Sequence, residues 1–490
     1  MAALRFKGVA LCLAVTCAGC TQGPDFVPPP PPAVADYIAA DEAKGEAPGP
    51  TQLFLSGEGV TAAWWTLFQA PEIDALVAQG IAGSPTLASA TARLSEAQQT
   101  LAAAVGAAGP AVDFAASATR EKLNTASFGL QPNSLPLPAN FNVYQVGPTA
   151  RYALDIFGGA RRQIEQASAL AEVRRYQRDA AWQSLTGNIV TEAIWMATLR
   201  AELQAIQDII EIDRQNLGLV RTERRSGTVP DIDVTTANSQ LAADETMLPG
   251  PQQQRDVARH ALAVLLGLPP ADWQPPELDL SALTLPSRIP VSLPSALVHQ
   301  RPDILAAEAQ LHAASARIGV ATARIYPDIT LSASIGAAAL DPAHLFNQTG
   351  LLWSIAAGLS QPVFDGGMRE AERRGALASF QAAAADYREV VLQAFGQVAD
   401  LLRALSHDGQ MLAAEQRALD IASESKTLHK IRYSGGGSGI LELLDAERQY
   451  QRARLGYIEA QSRRIRDLIQ LQVAMGAGRW QDDAPAGEGR

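Results

Sequence analysis

Beyond residue 20 the chain contains no cysteine; Cys12, Cys17 and Cys20 are the only three in 490 residues. A disulfide framework or a thiolate metal site downstream is thereby excluded. Past the same point there is no run of about 20 apolar residues, which excludes a transmembrane helix. A membrane role is then left to a lipid anchor or to a β-barrel. Basic residues are in deficit, 40 Lys and Arg against 51 Asp and Glu, and the formal net charge of -11 argues against electrostatic binding of nucleic acid or of an anionic surface. The six histidines are scattered without metal-ligand spacing, and HExxH, P-loop and GxSxG motifs are all missing. The GGGSG at 435–439 lacks the lysine and the preceding strand of a phosphate loop and reads as a tight turn between helices. No enzyme activity, metal or cofactor is expected. With 47% hydrophobic residues the chain can bury a large core, and Trp64 and Trp65 read as packing anchors rather than as a ligand-stacking pair.

What the first sixty residues do contain is an address. Arg5 and Lys7 precede an apolar stretch, 9–15, and the small residues Ala18 and Gly19 precede Cys20, so residues 1–19 read as an export signal. Small residues directly before a cysteine resemble the bacterial lipobox, in which that cysteine becomes the first residue and carries lipid. Cys17 departs from the pattern, which usually has leucine there; the other reading is a simple signal with an incidental cysteine. Residues 20–60 are expected to be a lipid-anchored segment and linker, with the Pro-rich 28–32 as a stiff spacer of roughly 3 Å per residue.

The remainder is written twice. GSPTLASATARLSEAQQTLAAAVGAAGPAVDFAAS aligns with QRPDILAAEAQLHAASARIGVATARIYPDITLSAS, which matches Pro85 to Pro302 and Pro110 to Pro327. LDIFGGARR matches PVFDGGMRE, and RRSGTVPDIDVTTA matches RYSGGGSGILELLDA with one residue of slippage, Ser226 against Ser434. Two copies are too few for a solenoid, so a duplicated unit is expected.

Each unit mixes two periods. Val112, Phe114, Ala116 and Ala118 alternate with Asp113, Ser117 and Thr119, and a second strand sets Tyr144, Val146, Ala150, Tyr152 and Leu154 opposite Gln145, Thr149 and Arg151. In the second unit Ile329, Leu331, Ala333 and Ile335 form one such face, and Leu351, Trp353, Ile355, Ala357 and Leu359 the next. Pro148 weakens its strand or marks a bulge. A half-buried soluble sheet and short membrane-crossing β segments both fit this alternation. Helices follow each hairpin, and 159–225 holds no proline, so a helix of about 100 Å is allowed at 1.5 Å per residue. A seam steps along it by threes and fours: Leu185, Ile189, Glu192, Met196, Leu199, Leu203, Ile206, Ile210, Asp213, Leu217 and Val220. Return helices are expected over 234–266 and 441–475, with a Pro-rich crossover after the first. Four strands cannot close a barrel. If they cross a membrane, several chains must share one, and three chains with twelve strands is the smallest arrangement leaving a sizeable pore.

GPDFVPP, WWTLFQAPEIDALV, LDIFGGARRQIEQASA, QPVFDGGMREAERRGA and RYSGGGSGILELLDAERQY, in this order over nearly the whole mature chain, resemble the motifs of the TolC-like outer membrane efflux proteins. The lipid-anchored NodT or OprM branch is the nearest. The resemblance implies a mostly α fold with a small transmembrane β part: a homotrimeric twelve-stranded β-barrel, four strands per chain, continued by a long α-helical periplasmic barrel. It implies a passive exit duct in the cell outer membrane, docked on a periplasmic adaptor protein and an inner-membrane RND transporter, anchored to outer membrane lipid and binding no nucleic acid. The domain plan it implies is 61–300 for the first repeat, with its β-hairpin at 111–157 and crossover at 267–300, then 301–478 for the second, with its β-hairpin at 328–364, and a tail at 479–490. The family's acidic and polar gate at the periplasmic tip falls on Tyr433, Glu442 and Asp445, with Gly436 and Ala446 in the same pattern and Asp233 as the first-repeat partner. Ser438 stands where the family prototype has arginine, which removes one possible salt bridge. From the residues alone, these acids also fit solvated turn and helix-start positions. The alternative from a different class is a lipid-anchored periplasmic coiled-coil scaffold without a pore.

Overall fold

A computed structural model describes residues 21–38, 53–122 and 140–476. The expected export signal (1–19), the lipidation residue Cys20 and the tail (479–490) lie outside the described residues. In chain order the elements are β1 (Leu53–Ser56), α1 (Pro71–Gly83), α2 (Pro85–Ala107), β2 (Ala111–Lys122), β3 (Asn140–Leu154), α3 (Gly159–Arg225), α4 (Asp231–Glu245), α5 (Pro249–Leu265), β4 (Arg288–Val291), α6 (Pro294–Leu297), α7 (Pro302–Ala323), β5 (Asp328–Ala339), β6 (Leu351–Ser360), α8 (Met368–Ser434) and α9 (Ile440–Ala474). Two compact units divide them, one built on Met1–Pro29, Leu94–Arg174 and Ala307–Tyr387, the other on the remaining segments.

The first unit holds a four-stranded antiparallel sheet in the order β2-β3-β5-β6. Its register is continuous: Ala150 faces Val112 on one side and Ala333 on the other, and Ala333 faces Ile355. Pro148 is not a bulge. The pairing of β3 with β5 keeps one register on both sides of it, Val146 with Ala337 and Thr149 with Ser334, while the ladder skips the residues between, where proline supplies no N–H. The segment that follows Cys20 is seated on this unit. Gln22 N donates to Phe157 O, the buried Arg162 guanidinium donates to Gln22 O, Gly23 O and Asp25 Oδ1, and Phe26 stacks on His312 at 4.4 Å between ring centres.

The second unit is helical. Trp64, Phe68, Ile73, Ile189, Leu262 and Leu266 are fully buried, so the tryptophan pair anchors the core as its composition suggested. Trp65 meets Trp182 of α3 at 6.0 Å. Along the α3 seam eight of the eleven expected positions are buried, and Glu192, Met196 and Asp213 are half-buried. Thr198 Oγ1 donates to Ser462 Oγ at 2.8 Å, which ties α3 to α9 inside that apolar contact. The second return helix runs unbroken for 35 residues as α9, but the first is split. Pro249 and Pro251 cannot donate backbone hydrogen bonds, so α4 stops at Glu245 and α5 starts with Pro249. In a two-stranded parallel sheet, β4 of the segment 267–300 pairs with β1 from the start of the chain's helical unit, an element that no periodicity in the sequence announced.

No helix among the described residues is long and apolar enough to cross a membrane.

Candidate functional site

Two places carry the features a membrane duct would need. The first is the sheet. Its register puts Val112, Phe114, Tyr152, Leu331, Ile335, Trp353, Ile355 and Leu359 on a single face, the apolar one that alternation predicts, and Asp113, Thr149, Ser334 and Ser354 on the other. On the polar face Ser334 and Ser354 hydroxyls bond at 2.8 Å. The apolar face is open: Phe114 is 73% exposed, Trp353 70% and Ile355 78%. A soluble half-buried sheet would cover such a face, because each large apolar side chain gains roughly 1.5–3 kcal/mol on leaving water. The outer edges of β2 and β6 have no partner strand among the described residues. With strands of 10 to 15 residues, each is long enough for a tilted crossing of about 30 Å of hydrocarbon.

The second place is the pair of helix–helix turns, α3 to α4 and α8 to α9, both in the helical unit. At the end of α3, Gly227 N donates to Arg224 O and Thr228 N to Glu223 O; at the end of α8, Gly436 N donates to Tyr433 O and Gly437 N to Arg432 O. These are the same capping bonds, displaced by 209 positions, with the glycine of each in the left-handed region at φ 79 and 72. The residues that start the return helices match as well: Pro230 at φ -76, ψ 164 and Gly439 at φ -80, ψ 163. The sequence alignment of Ser226 with Ser434 is therefore one residue out. Ser226 N donates to Thr222 O as Gly435 N donates to Ile431 O, so Gly435 is the true counterpart.

In this register Asp233 and Glu442 are equivalent, each in the first turn of its return helix, where a carboxylate is favoured by the helix dipole. Tyr433 donates its hydroxyl to Glu223 Oε1 at 2.8 Å, and burial first, then that neighbouring carboxylate, pushes its pKa up. Asp445 accepts from Gln449 Nε2 at 2.8 Å and lies 3.4 Å from the Arg448 guanidinium. Among the described residues no bond links Asp233, Tyr433, Glu442 and Asp445 to one another. They are held at one place by a shared apolar cluster: Val220, Ile440 and Leu443 are buried, with Val229, Val234, Tyr433 and Leu444 packed against them. Ser438 Oγ is buried without a partner among the described residues, so at this position no side-chain bond replaces the arginine of the family prototype.

The turns also hold residues that motif matching passes over. Arg224 reaches Asp231 with Nε at 2.5 Å and Nη2 at 2.9 Å, a bidentate pair that holds the Asp231 carboxyl below its ordinary range. Glu223 and Tyr433 are 210 positions apart and are not equivalent in the two repeats, so only the facing of α3 and α8 brings them together.

The chain matches the family model described as outer membrane efflux protein over residues 76–268 and 293–477. It is 30% identical over 422 residues to the pyoverdine export outer membrane protein OpmQ of Pseudomonas aeruginosa, covering 86% of this chain and 88% of that one. Among solved structures, the outer-membrane channel OprN is similar with a TM-score of 0.81 at 30% identity, covering 94% of this chain and 99% of that one. The open-state MtrE outer membrane channel of Neisseria gonorrhoeae is similar with a TM-score of 0.79 at 25% identity, covering 94% and 98%.

Proposed function

Because the chain belongs to the outer membrane efflux protein family, we propose that it is the outer-membrane exit duct of a tripartite efflux pump, a passive homotrimeric channel for small molecules. Each chain contributes β2, β3, β5 and β6 to a twelve-stranded barrel, and its long helices contribute to a periplasmic helical barrel. Residues 61–300 and 301–478 are assigned to the two repeats. Cys20 carries lipid, a reading that the small residues before it support. A periplasmic adaptor protein and an inner-membrane RND transporter dock on the duct and open its tip.

The observation that carries this reading is the sheet: one open apolar face, one polar face and two unpaired edges. An open edge in hydrocarbon leaves backbone N–H and C=O groups unpaired at a cost of several kcal/mol each, and pairing with two further copies removes that cost. The polar face then lines the lumen. A pore-free scaffold would leave the apolar face in water.

At the tip, three copies of Asp233, Glu442 and Asp445 around one axis would gather cations. The test is reconstitution of the full chain in a planar bilayer together with its migration in detergent before and after heating. A heat-sensitive trimer with cation-preferring, mostly closed conductance supports the duct. Glu442→Ala with Asp445→Ala should raise conductance and weaken cation preference, whereas unchanged values would remove these two residues from the gate. A purified sample that stays monomeric after reconstitution would overturn the duct itself.

A further inference from the structure

Alongside the first hairpin, between α3, α4 and α9, the helical unit encloses a cavity of about 240 Å³. Ile209, Leu444 and Leu455 give it apolar walls. Three acceptors in its lining, Asp213 Oδ2, Glu447 Oε2 and Gln451 Oε1, are buried with no partner among the described residues. Gln451 is only 4% exposed, so its orphaned oxygen cannot turn to bulk water. Leaving such acceptors unpaired is costly, and a ligand that brings N–H donors removes the cost.

The charged surroundings come from every element around the cavity. Asp213 stands on α3. Asp244 on α4 accepts from Gln240 Nε2 at 2.7 Å. From α9, Arg448 turns to Asp445 and Arg452 lines the cavity, while Lys426 of α8 faces Glu447 with its ammonium 3.6 Å from the centre of the Tyr450 ring. One orphaned donor, Arg448 Nε, stands against the three orphaned acceptors. Burial first, then the hydrogen bond and charge of Asp244, push the Asp213 carboxyl up to about 7, so the two carboxyls share a proton under mildly acidic conditions.

We propose that this cavity binds a small primary alkylammonium ion, its N–H groups donating to Asp213, Glu447 and Gln451 and its alkyl tail lying along Ile209, Leu444 and Leu455. Under mildly acidic conditions, where Asp213 and Asp244 share a proton, that proton leaves to water as the ion enters and the charge of the cavity is unchanged; above neutrality the ion enters a site already deprotonated. A metal ion is a poorer occupant, since no group of three or more His, Cys, Asp or Glu among the described residues is arranged to hold one. The acids are not a requirement of the repeat. Displaced by 209 positions, Asp213 and Asp244 fall on Ala422 and Ala453, and the second hairpin forms helices of the same kind without them.

The experiment is calorimetric titration of the intact oligomer in detergent with n-propylammonium chloride, against tetramethylammonium chloride, which has the charge but no N–H. At pH about 8, where the pair has already lost its proton, n-propylammonium should bind saturably with little proton release, and at pH about 6, where the pair holds its proton, it should bind about tenfold more weakly and release a proton. Tetramethylammonium should not bind. Asp213→Asn should weaken binding at least tenfold and remove its pH dependence, and Gln451→Leu should weaken it less. Absence of saturable binding at pH about 8, equal binding of the two cations, or an unchanged Asp213→Asn protein would each overturn the proposal. If Asp213→Asn fails to assemble, the comparison of the two cations on the unaltered chain decides alone. The cavity belongs to a single chain, so a failure here leaves the exit-duct reading untouched.

Discussion

The two hairpin ends are the same backbone closed by different chemistry. Arg224 and Asp231 of the first end correspond, 209 positions on, to Tyr433 and Ile440 of the second. The first end is clasped by an exposed ion pair. The second puts its tyrosine and isoleucine at the same two positions into an apolar cluster that includes Val220, Val229 and Val234 of the first end. The two are joined by Tyr433, whose hydroxyl crosses to Glu223 of the first end. A duplicated unit can therefore keep its capping geometry, which glycine and helix-start dihedrals enforce, while the clasp drifts between electrostatic and hydrophobic solutions. The two solutions differ in strength. Exposed ion pairs contribute little after solvent screening, whereas buried apolar contacts are held by area and packing.

That difference can be broken most severely by giving the second end the first end's residue. Ile440→Asp places a carboxylate where isoleucine is 5% exposed. Loss of about 3–5 kcal/mol is expected, read as lost hydrogen-exchange protection around Leu443 and Val220, with partial recovery when Tyr433→Arg is added to rebuild the clasp. The shared capping geometry is probed by Gly227→Ala and Gly436→Ala. At φ 79 and 72 each should cost about 1–2 kcal/mol, and to a similar degree, which exchange at the two turns would measure. Tyr433→Phe, which removes the hydrogen bond between the ends and leaves their apolar contact, should cost about 1 kcal/mol. Because the folded protein raises the tyrosine pKa, that bond is present at neutral pH and is lost as pH rises beyond the ordinary tyrosine range near 10. The smallest effect belongs to Asp231→Asn: a change in local protection seen at low ionic strength and erased by added salt. Its carboxyl is held below the ordinary range, so its contribution is present above about pH 4 and is lost as pH falls through the depressed value.

Much of the fold is legible along the chain, because it depends on short-range patterns. Period-two alternation put Val112, Leu331 and Ile355 each on the apolar face of its own strand, and a proline-free span allowed a helix from Gly159 to Arg225. The split of the return helix at Pro249 was written in the same residues, since Pro249 and Pro251 interrupt the span 234–266. The pairing of β1 with β4 was not legible, since two four-residue strands 235 positions apart carry too few residues to show a period. Of the candidate gate, Asp233 and Glu442 fall at equivalent positions in the first turns of the two return helices, while the contact between Tyr433 and Glu223 depends on which helix faces which.

The sequence by itself determined where the chain turns, which strand faces are apolar and which helices run long, because steric limits on glycine and proline and the periodicity of side chains act within a few residues. Only the tertiary structure decided that the two hairpin ends share an apolar cluster to which the first adds an ion pair, and that Asp213 and Asp244 meet. Interaction and desolvation energies depend on distance and burial in three dimensions, and the same acidic residue is ordinary on a free helix but protonated near neutral pH when a second carboxyl is packed against it.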